Sequence, residues 1–495
     1  MLGRPVVTAL LAATVGAAPM GGQDAGPPGR TPHVFPVRDF GAVGDARTDD
    51  AAAFRAAIAA AAPVGGTVSV PPVAPGGGYV LSGTLDVPPG VSVLGAAAGM
   101  PFVAWEGVRR EQQTGAILLP RFPDEALGGP QRPPLFVLHG GTTIRGLYIL
   151  YDDQPWPSDA EFDDPDSPYR YESLDALCER FIRDHVRPYG PTFYLVGGGA
   201  NVTLEDLICA RYTDFFVAGG AGKLIVDRIY LFGYGRAFAF REARDVIRLS
   251  RIHLVPNVEG AISWQHAKLH AAITAQEGNI AFDFGSVDGY SLSDATVFLA
   301  HTGVKLGASQ EAPFSDPVTG ETGWDEFRGP WGSIENLKLD NVTVGLHCVS
   351  GTILPNQLAN VMIHQSIAPR AAFAAAGGPV GRQAAILVGP DFAGATLQVQ
   401  NLSLSSFAPT NVVATAAMAE QANGRAFLVD APPGQPQVDY AVRDRANVDI
   451  HGLVLTNIPP SHWYAATPGT LPSVMVRGFY HNGVPQPDGL LGVPP

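Results

Sequence analysis

The chain has 495 residues, of which 46% are hydrophobic and 16% are charged, and its formal net charge is −14. An acidic surface with only four lysines argues against a nucleic-acid partner and against binding to anionic membranes, because both need Lys and Arg to neutralise phosphates. The 58 glycines and 44 prolines favour a turn-rich all-β chain, and the apolar content argues against disorder.

The first 18 residues have the composition of a signal peptide. Arg4 precedes an apolar run at 6–15, which is too short to span a bilayer, and small residues follow at 16–18. We therefore expect a secreted or periplasmic protein with no membrane insertion. Residues 19–33, rich in Gly and Pro, are expected to form a disordered leader, and 34–495 to form one domain.

A distinctive segment follows the leader. It contains Asp39-Phe-Gly-Ala-Val-Gly-Asp45 and then Thr48-Asp-Asp50, and an Ala-rich stretch comes next. That stretch predicts a helix with Phe54 and Ile58 on one face, and either Thr48 or Asp49 is suited to cap its start. Strands are predicted after it, the first at 67–70.

From residue 202 onward one apolar pattern recurs at nearly constant spacing. It reads apolar, any, apolar, two turn residues, apolar, any, apolar, and consecutive copies begin at Val202, Leu224 and Ile247. Because the apolar parity flips at the turn residues, two short strands joined by a bend keep both halves buried, which one flat strand does not. Spacings of 22 and 23 residues are typical of a solenoid. The pattern predicts successive coils of a single-stranded parallel β-helix.

Other copies begin at Tyr290, Leu337, Leu397 and Val448, and a partial copy covers 142–149. Six of the eight residues at the second turn position are Gly, Asp or Asn, which tolerate left-handed backbone. The eight are Gly146, Asp206, Arg228, Arg251, Asp294, Asn341, Asn401 and Gly452. The alternative is an antiparallel sandwich, but its turn signals would recur roughly every 8 to 12 residues.

The sequence resembles the pectate lyase superfamily, specifically the N-terminal segment of rhamnogalacturonase-like and epimerase-like right-handed β-helix proteins. The matching residues are 39–45, 48–50, Gly65-Gly-Thr67 and Val91-Ser-Val-Leu-Gly95. The resemblance implies a right-handed parallel β-helix that handles a polysaccharide or oligosaccharide in a groove. The predicted helix would cap the open apolar end of the solenoid.

The resemblance leaves the reaction open, because members include hydrolases, lyases, epimerases and phage tailspikes. The triplets Asn-Thr-Asp, Gly-His-Gly and Arg-Ile-Lys of polygalacturonase-type sites are absent from the sequence. No catalytic residue of the family is therefore carried over. We expect the chemistry in loop insertions, since the coils are structural and the loops between them build the groove. The two largest insertions are predicted at 151–191 and 302–331.

Four carboxylates are predicted to be catalytic. Asp152 and Asp153 directly follow a predicted strand, where a coil meets a loop. If Phe282 and Phe284 point inward, Asp283 points outward, and Asp288 follows on a Gly-flanked turn. With acidic neighbours, Asp283 is expected to have a raised pKa and to act as an acid, paired with Asp152 or Asp153 across a glycosidic bond. The alternative for Asp288 is an ordinary turn residue.

Aromatic faces stack on sugars, so the large side chains near these acids are predicted to bind substrate. They are Trp156, Tyr171, Trp264, His266, Tyr290 and Trp324. For the Trp324 loop, packing onto the solenoid is the alternative. The acid run at 159–166 is interpreted as solvated or Ca²⁺-binding, and no other metal or cofactor is expected.

These observations predict a glycoside hydrolase that acts on a polysaccharide. A polysaccharide lyase or epimerase is the second interpretation, and with few lysines it would rely on Arg, His or Ca²⁺ to neutralise a uronate. A non-catalytic carbohydrate-binding or structural β-helix is the third.

Overall fold

The computed structural model describes residues 33–96, 113–154, 186–255, 276–308, 314–323, 329–352, 354–366, 384–392, 397–407, 425–429, 448–457, 460, 464–466 and 474–490. The predicted signal peptide, nearly all of the leader and five of the predicted substrate-binding residues lie outside this set. Those five are Trp156, Tyr171, Trp264, His266 and Trp324. No helix within the described residues is long and apolar enough to cross a membrane.

The described residues contain two α-helices and 28 strands. The helices are α1 (Ala51–Ala61) and α2 (Asp124–Leu127). The first strands are β1 (Val34–Pro36), β2 (Asp45–Asp49), β3 (Thr67–Val70), β4 (Gly78–Leu81), β5 (Leu85–Val87), β6 (Ser92–Gly95), β7 (Ile117–Pro120), β8 (Phe136–Leu138), β9 (Thr143–Arg145), β10 (Tyr148–Leu150), β11 (Phe193–Leu195), β12 (Gly199–Tyr212), β13 (Phe216–Ala218) and β14 (Ala221–Gly233). The others are β15 (Phe238–Leu254), β16 (Ile280–Leu306), β17 (Phe314–Ser315), β18 (Thr322–Gly323), β19 (Trp331–Ser350), β20 (Asn356–Ser366), β21 (Ala384–Asp391), β22 (Leu397–Phe407), β23 (Arg425–Val429), β24 (Val448–Thr456), β25 (Tyr464–Ala466), β26 (Val474–His481), β27 (Val484–Gln486) and β28 (Gly489–Leu490).

Within the described residues, 26 strands form one continuous sheet that winds around the molecule, and β17 pairs only with β18. Val202 lies beside Leu224 and Leu224 beside Ile247, in parallel register, as the repeat predicts. Leu204, Val226 and Leu249 form an interior ladder and are at most 1% exposed. The structure is thus the predicted right-handed parallel β-helix, and the antiparallel sandwich is excluded.

Each coil presents three faces. Face 1 includes 202–205, 224–227 and 247–250, and face 2 includes 207–210, 230–232 and 252–254. Face 3 is formed by β11, β13, 238–240 and 280–284. Long strands such as β12 and β14 bend from face 1 to face 2. All eight predicted turn residues have a left-handed φ, between 52° and 77°, so the sequence rule for the bend is confirmed.

One copy of the pattern is displaced along its coil. Leu337 pairs with Ala295, so the copy that begins there lies on face 2 rather than face 1. The bend equivalent to Asp294 is Asn336, whose side-chain amide donates to the Asp294 carboxylate over 3.0 Å. Asn341 also has a left-handed φ of 57°, so the same coil has two such corners and the pattern fits it at both.

Two coils do not appear in the sequence pattern as we read it. In β20 the first inward position is Asn356, which is fully buried. Its side chain accepts from the Tyr290 hydroxyl at 2.8 Å and donates to the Pro330 carbonyl at 3.1 Å. Because the pattern requires an apolar residue at this position, the coil does not match it. In β26 the chain makes a further coil, and β27 and β28 fold back antiparallel onto it.

The N-terminal helix α1 lies where the sequence predicts it. Phe54 and Ile58 are on its buried face, which packs against β1, β3 and β5. Of the two predicted caps, Asp49 is the one that bonds the helix start, accepting from the Ala51 N–H at 3.0 Å. The adjacent Asp50 is buried and accepts from the backbone of Val43 and Gly44. The two aspartates of the Thr-Asp-Asp motif thus accept hydrogen bonds from backbone N–H groups, which is a structural role and not a catalytic one.

Candidate functional site

Asp283 lies on face 3 with its side chain turned outward, as predicted. Its neighbours Phe282 and Phe284 are fully buried and stack on Phe238 and Phe240, with ring centroids 5.6 Å apart in both pairs. The outward side chain is nevertheless only 2% exposed. Asp283 is therefore an outward residue that is covered, and not a residue on an open groove.

The closest charge to Asp283 is a cation, where we had expected acidic neighbours. Backbone hydrogen bonds from Thr302 to Asn279 and from Gly307 to Phe284 set Asp283 opposite Lys305 on the next coil. The Lys305 ammonium lies 3.6 Å from the Asp283 carboxylate, and Lys305 is itself 7% exposed. Within the described residues, Asp283 Oδ1 has no hydrogen-bond partner. The surroundings are those of a buried ion pair.

The segment 314–323 covers the part of face 3 next to Asp283. Phe314 is buried against Tyr194, Val217 and Ala239, which point outward from three successive coils. The Tyr194 hydroxyl donates to Asp316 at 3.1 Å. Of our two interpretations of this insertion, packing onto the solenoid is the one that its described part shows.

Asp152 and Asp153 form a salt-bridged cluster at the base of the first insertion. Both Asp152 oxygens accept from Arg121, at 3.0 and 2.6 Å. Asp153 accepts from the Tyr189 hydroxyl at 2.6 Å and pairs with Arg187. Burial raises the pKa of Asp153, against the opposing effects of Tyr189 and Arg187. The cluster ties the two ends of the insertion together.

The proposed pairing of Asp283 with Asp152 or Asp153 does not fit this geometry. Asp152 leads from β10 into β11, and Asp283 lies three coils farther along face 3. Three strand spacings amount to about 14 Å. A carboxylate pair that cleaves a glycosidic bond lies about 5 to 9.5 Å apart. The sequence does not give this separation, because the repeat assigns each residue to its coil only when every coil between them is recognised.

Tyr290 was predicted to bind substrate, and the structure places it in the core. It is 3% exposed and stacks on Phe284 with ring centroids 4.3 Å apart. Its hydroxyl is satisfied by Asn356. Tyr290 occupies the first inward position of its coil, so the repeat itself already placed it inside.

Asp288, by contrast, is exposed at the corner between faces 3 and 1. Along this corner, equivalent positions on five successive coils form a column: Ala200, Gly222, Arg244, Asp288 and Trp331. The step from Gly222 to Arg244 follows from the pairing of Ala221 with Ala243. The Trp331 indole N–H donates to Asp288 Oδ1 over 2.8 Å. Of the four predicted catalytic carboxylates, Asp288 is the one that reaches the surface of this column.

A groove of about 410 Å³ runs beside the lower part of the column. Its floor is the glycine-rich corners at 197–200 and 219–222, and its upper wall is Glu242 and Arg244. The Glu242 carboxylate pairs with Arg244, whose side chain is 79% exposed. The corner groove, as we call this feature, is therefore walled by a carboxylate and a guanidinium, and Asp288 and Trp331 follow Arg244 on the next two coils of the column.

Glu242 and Arg244 were not singled out from the sequence, whereas Trp331 ends the insertion predicted at 302–331, whose two tryptophans were interpreted as walling a groove or packing onto the solenoid. The corners of the two preceding coils are glycine-rich, at 197–199 and 219–222, whereas the next has Arg-Glu-Ala-Arg at 241–244. An alignment of coils by corner would have shown charge replacing glycine at one point of the solenoid. Among the described residues, no group of three or more His, Cys, Asp or Glu is placed to hold a metal ion.

Residues 34–114 match the family model described as "Rhamnogalacturonase A/epimerase, pectate lyase-like". No curated protein sequence matches the chain. Among solved structures, the DFA-IIIase from Arthrobacter chlorophenolicus A6 in complex with GF2 is 11% identical, with a TM-score of 0.52 over 88% of this chain and 92% of that one.

Two further solved structures align over most of their length. The mannuronan C-5 epimerase AlgE4 A-module of Azotobacter vinelandii is 14% identical, with a TM-score of 0.41 over 91% of this chain and 95% of that one. The exopolygalacturonase of Thermotoga maritima is 12% identical, with a TM-score of 0.43 over 94% of each chain. The predicted resemblance is thereby confirmed: the chain is similar to pectate lyase-like right-handed β-helix proteins, in sequence at its N-terminal segment and in fold along most of its length.

Proposed function

We propose that this protein is a carbohydrate-active enzyme, specifically a glycoside hydrolase, whose polysaccharide substrate lies in the corner groove. The observation that carries the proposal is a pair of carboxylates on adjacent coils: Glu242 lines the groove, and Asp288 lies opposite Arg244 on the next coil, where it accepts from Trp331. The match of residues 34–114 to a rhamnogalacturonase and epimerase family supports a carbohydrate substrate.

The spacing of the two carboxylates suits the reaction. Glu242 pairs with Ser286, two residues before Asp288 on the next coil. One strand spacing and two residues along the strand separate their Cα atoms by roughly 8 Å. The carboxyl groups of an inverting general acid and general base lie about 6.5 to 9.5 Å apart to admit a water molecule, a separation that side chains on Cα atoms at this distance can reach.

The surrounding residues suit a sugar chain. The glycine floor lets the chain approach the backbone closely, since no side chain stands in the way. The partly exposed Trp331 indole offers a flat apolar face for a sugar ring, while its N–H fixes the Asp288 carboxylate. Asp283 is buried in the pair with Lys305, and we assign it a structural role in support of this corner.

Arg244 favours a second candidate, a lyase or epimerase acting on a uronate. Its guanidinium is the cation on the groove wall, between Glu242 and the column position of Asp288. A cation at this point would neutralise the carboxylate of an acidic sugar. A lyase or epimerase needs such a cation, and in this lysine-poor chain an arginine is one of the groups expected to supply it.

A panel of neutral and acidic polysaccharides distinguishes these functions. A hydrolase releases reducing ends without an unsaturated product, a lyase gives the ultraviolet absorbance of an unsaturated uronate, and an epimerase changes the sugar configuration seen by NMR without cleavage. A protein that is slowed in a gel containing one of the polysaccharides, yet causes none of these changes, would be a carbohydrate-binding protein. That result would contradict the proposed enzyme. If the protein is a hydrolase, the Asp288→Asn variant should no longer release reducing ends.

We also propose export. The apolar run at 6–15 and the small residues at 16–18 support it. Expression of the full chain in a bacterial host, with mass spectrometry of the protein from the medium and periplasm, should give an N-terminus near residue 19. A protein that stays in the cytoplasm with residues 1–18 attached would contradict this.

A further inference from the structure

Face 2 carries a polar row that the corner groove does not use. Asp340, His364 and Ser405 occupy equivalent outward positions on three successive coils, in direct parallel register. Strands in such a ladder are about 4.8 Å apart, so the imidazole lies between a carboxylate on one side and a hydroxyl on the other. The order of the three side chains is acid, base, hydroxyl.

The contacts within the row are specific. His364 Nδ1 lies 2.8 Å from Ser405 Oγ, a hydrogen-bond distance. Asp340 is half-buried, and within the described residues its Oδ1 has no hydrogen-bond partner although it is shielded from solvent. Burial raises the pKa of Asp340, and the neighbouring His364 opposes that effect. Asp340 Oδ1 is therefore free to accept a hydrogen bond from the imidazole of His364, which already contacts Ser405.

We infer that Ser405, His364 and Asp340 form a second catalytic site that hydrolyses carboxylic esters, with Ser405 as nucleophile, His364 as general base and Asp340 as the group that stabilises the protonated imidazole. This constellation is recognised by geometry and role, whatever fold carries it. The site lies on a different face from the corner groove and needs no carbohydrate in that groove.

The chemistry is balanced with water as the co-substrate. The Ser405 hydroxyl proton moves to His364 as Oγ bonds to the acyl carbon, and the carbonyl electron pair moves to its oxygen. Collapse of this adduct breaks the bond to the alcohol oxygen, which leaves with the proton from His364. Water then attacks the acyl-serine, gives its proton to His364, and releases the carboxylic acid as Ser405 recovers the proton.

The face is accessible to a substrate of some size. Lys338 precedes Asp340 by two residues and is exposed, and Met362, opposite Lys338 on the next coil, is 47% exposed. Ser403 continues this neighbouring column, one coil beyond Met362. It faces the same way as Ser405, without a histidine opposite it, and so provides a matched control.

The test uses the full chain, p-nitrophenyl acetate and a fluorophosphonate probe, which bonds an activated serine oxygen with loss of fluoride. Peptide mass spectrometry should place the phosphonate on Ser405. Ser405→Ala should remove labelling and lower esterase kcat/KM by about 100-fold or more, while Ser403→Ala keeps both. His364→Gln should also abolish labelling with Ser405 still present.

Thermal unfolding of each variant separates loss of chemistry from loss of fold. If Ser405→Ala and Ser403→Ala retain equal esterase activity, or if folded wild-type protein takes up no phosphonate at Ser405, the row is a structural hydrogen-bonded ladder and the inference is overturned. Activity of Asp288→Asn toward the ester should equal that of the wild type. A joint loss would contradict a separate site.

Discussion

Trp331 donates its indole N–H to the Asp288 carboxylate across 2.8 Å and so joins the two coils that follow Arg244 of the corner groove. The contact fixes a carboxylate on a turn, where side chains are otherwise free to move. It also holds the indole edge-on to the acid, which leaves the ring face for a ligand. A structural tie and a binding surface are thus provided by the same pair.

Asp288→Asn should abolish most of the turnover of an active polysaccharide. The amide keeps the shape of the side chain but cannot exchange a proton, and general acid–base catalysis contributes about 100-fold or more. The measurement is kcat and KM with circular dichroism as the check on fold. Asp294→Asn, an exposed bend residue on the same strand, is the control and should keep its rate. Equal rates for both variants would show that Asp288 is only a turn residue.

Asp283→Asn should lower the free energy of unfolding and not only the rate of catalysis. It leaves the buried Lys305 without its counter-charge, and breaking a buried pair costs about 3 to 5 kcal/mol. The double variant Asp283→Leu with Lys305→Met should recover much of the loss, because no charge is then buried. Urea unfolding gives the free energies. A single variant as stable as the wild type would show that the pair is not desolvated in solution.

Val226→Asp should prevent folding, because it puts an uncompensated charge in the interior ladder with Leu204 and Leu249. Ile225→Asp on the same strand is the control. Ile225 points outward and is 43% exposed, so that variant should fold. Soluble yield and the circular dichroism spectrum decide the matter, and two equally soluble variants would contradict the assigned inward and outward positions.

Arg228 tests the bend. It is neither Gly, Asp nor Asn, yet its φ is 55°, and its guanidinium pairs with Asp206 on the preceding coil at 3.0 Å. Arg228→Gly and Arg228→Val both lose the ion pair, so the difference between them reports the backbone. The valine variant should be less stable by roughly 1 to 2 kcal/mol, the cost of left-handed backbone for a residue with a Cβ. Equal unfolding midpoints would mean that the bend is not left-handed.

The same bend should make stability sensitive to acid. The hydrogen bond from Arg228, aided by its charge, lowers the pKa of Asp206. Between the lowered pKa and the ordinary value near 3.9, the unfolded chain binds more protons than the folded one, so stability falls as the pH falls through this window. Urea midpoints at a series of pH values below about 5 should show this loss, and Asp206→Asn should lose less. Identical pH profiles would contradict the pairing.

The repeat gave the coil architecture because each copy encodes a local fact, the inward or outward direction of a residue. The inward ladder of Leu204, Val226 and Leu249 and the left-handed turn residues follow from that fact alone. The pattern failed at Asn356, where a hydrogen-bonded amide replaces an apolar side chain. It failed also at Leu337, because two corners of one coil satisfy the same pattern.

The site was harder to predict because it depends on residues in different coils. Asp283 and Asp288 are five residues apart, yet one is buried against Lys305 and the other is exposed at a corner. Nothing local to either residue distinguishes them. The partners that do, Lys305 and Trp331, lie 22 and 43 residues farther along the chain. Only an alignment of all the coils would have brought Glu242, Arg244 and Trp331 together.

The most direct test of the account is to fill the corner groove. Gly197 lines the groove, and a Cβ added there meets no atom within 4 Å, so Gly197→Phe starts a bulky side chain from free space at the groove. Gly278→Phe is the control, since Gly278 has the same free space outside the groove. With an active polysaccharide, kcat/KM should fall by at least about tenfold for Gly197→Phe, which corresponds to about 1.4 kcal/mol, and stay unchanged for Gly278→Phe. Unchanged turnover in a folded Gly197→Phe variant would contradict the corner groove as the substrate site.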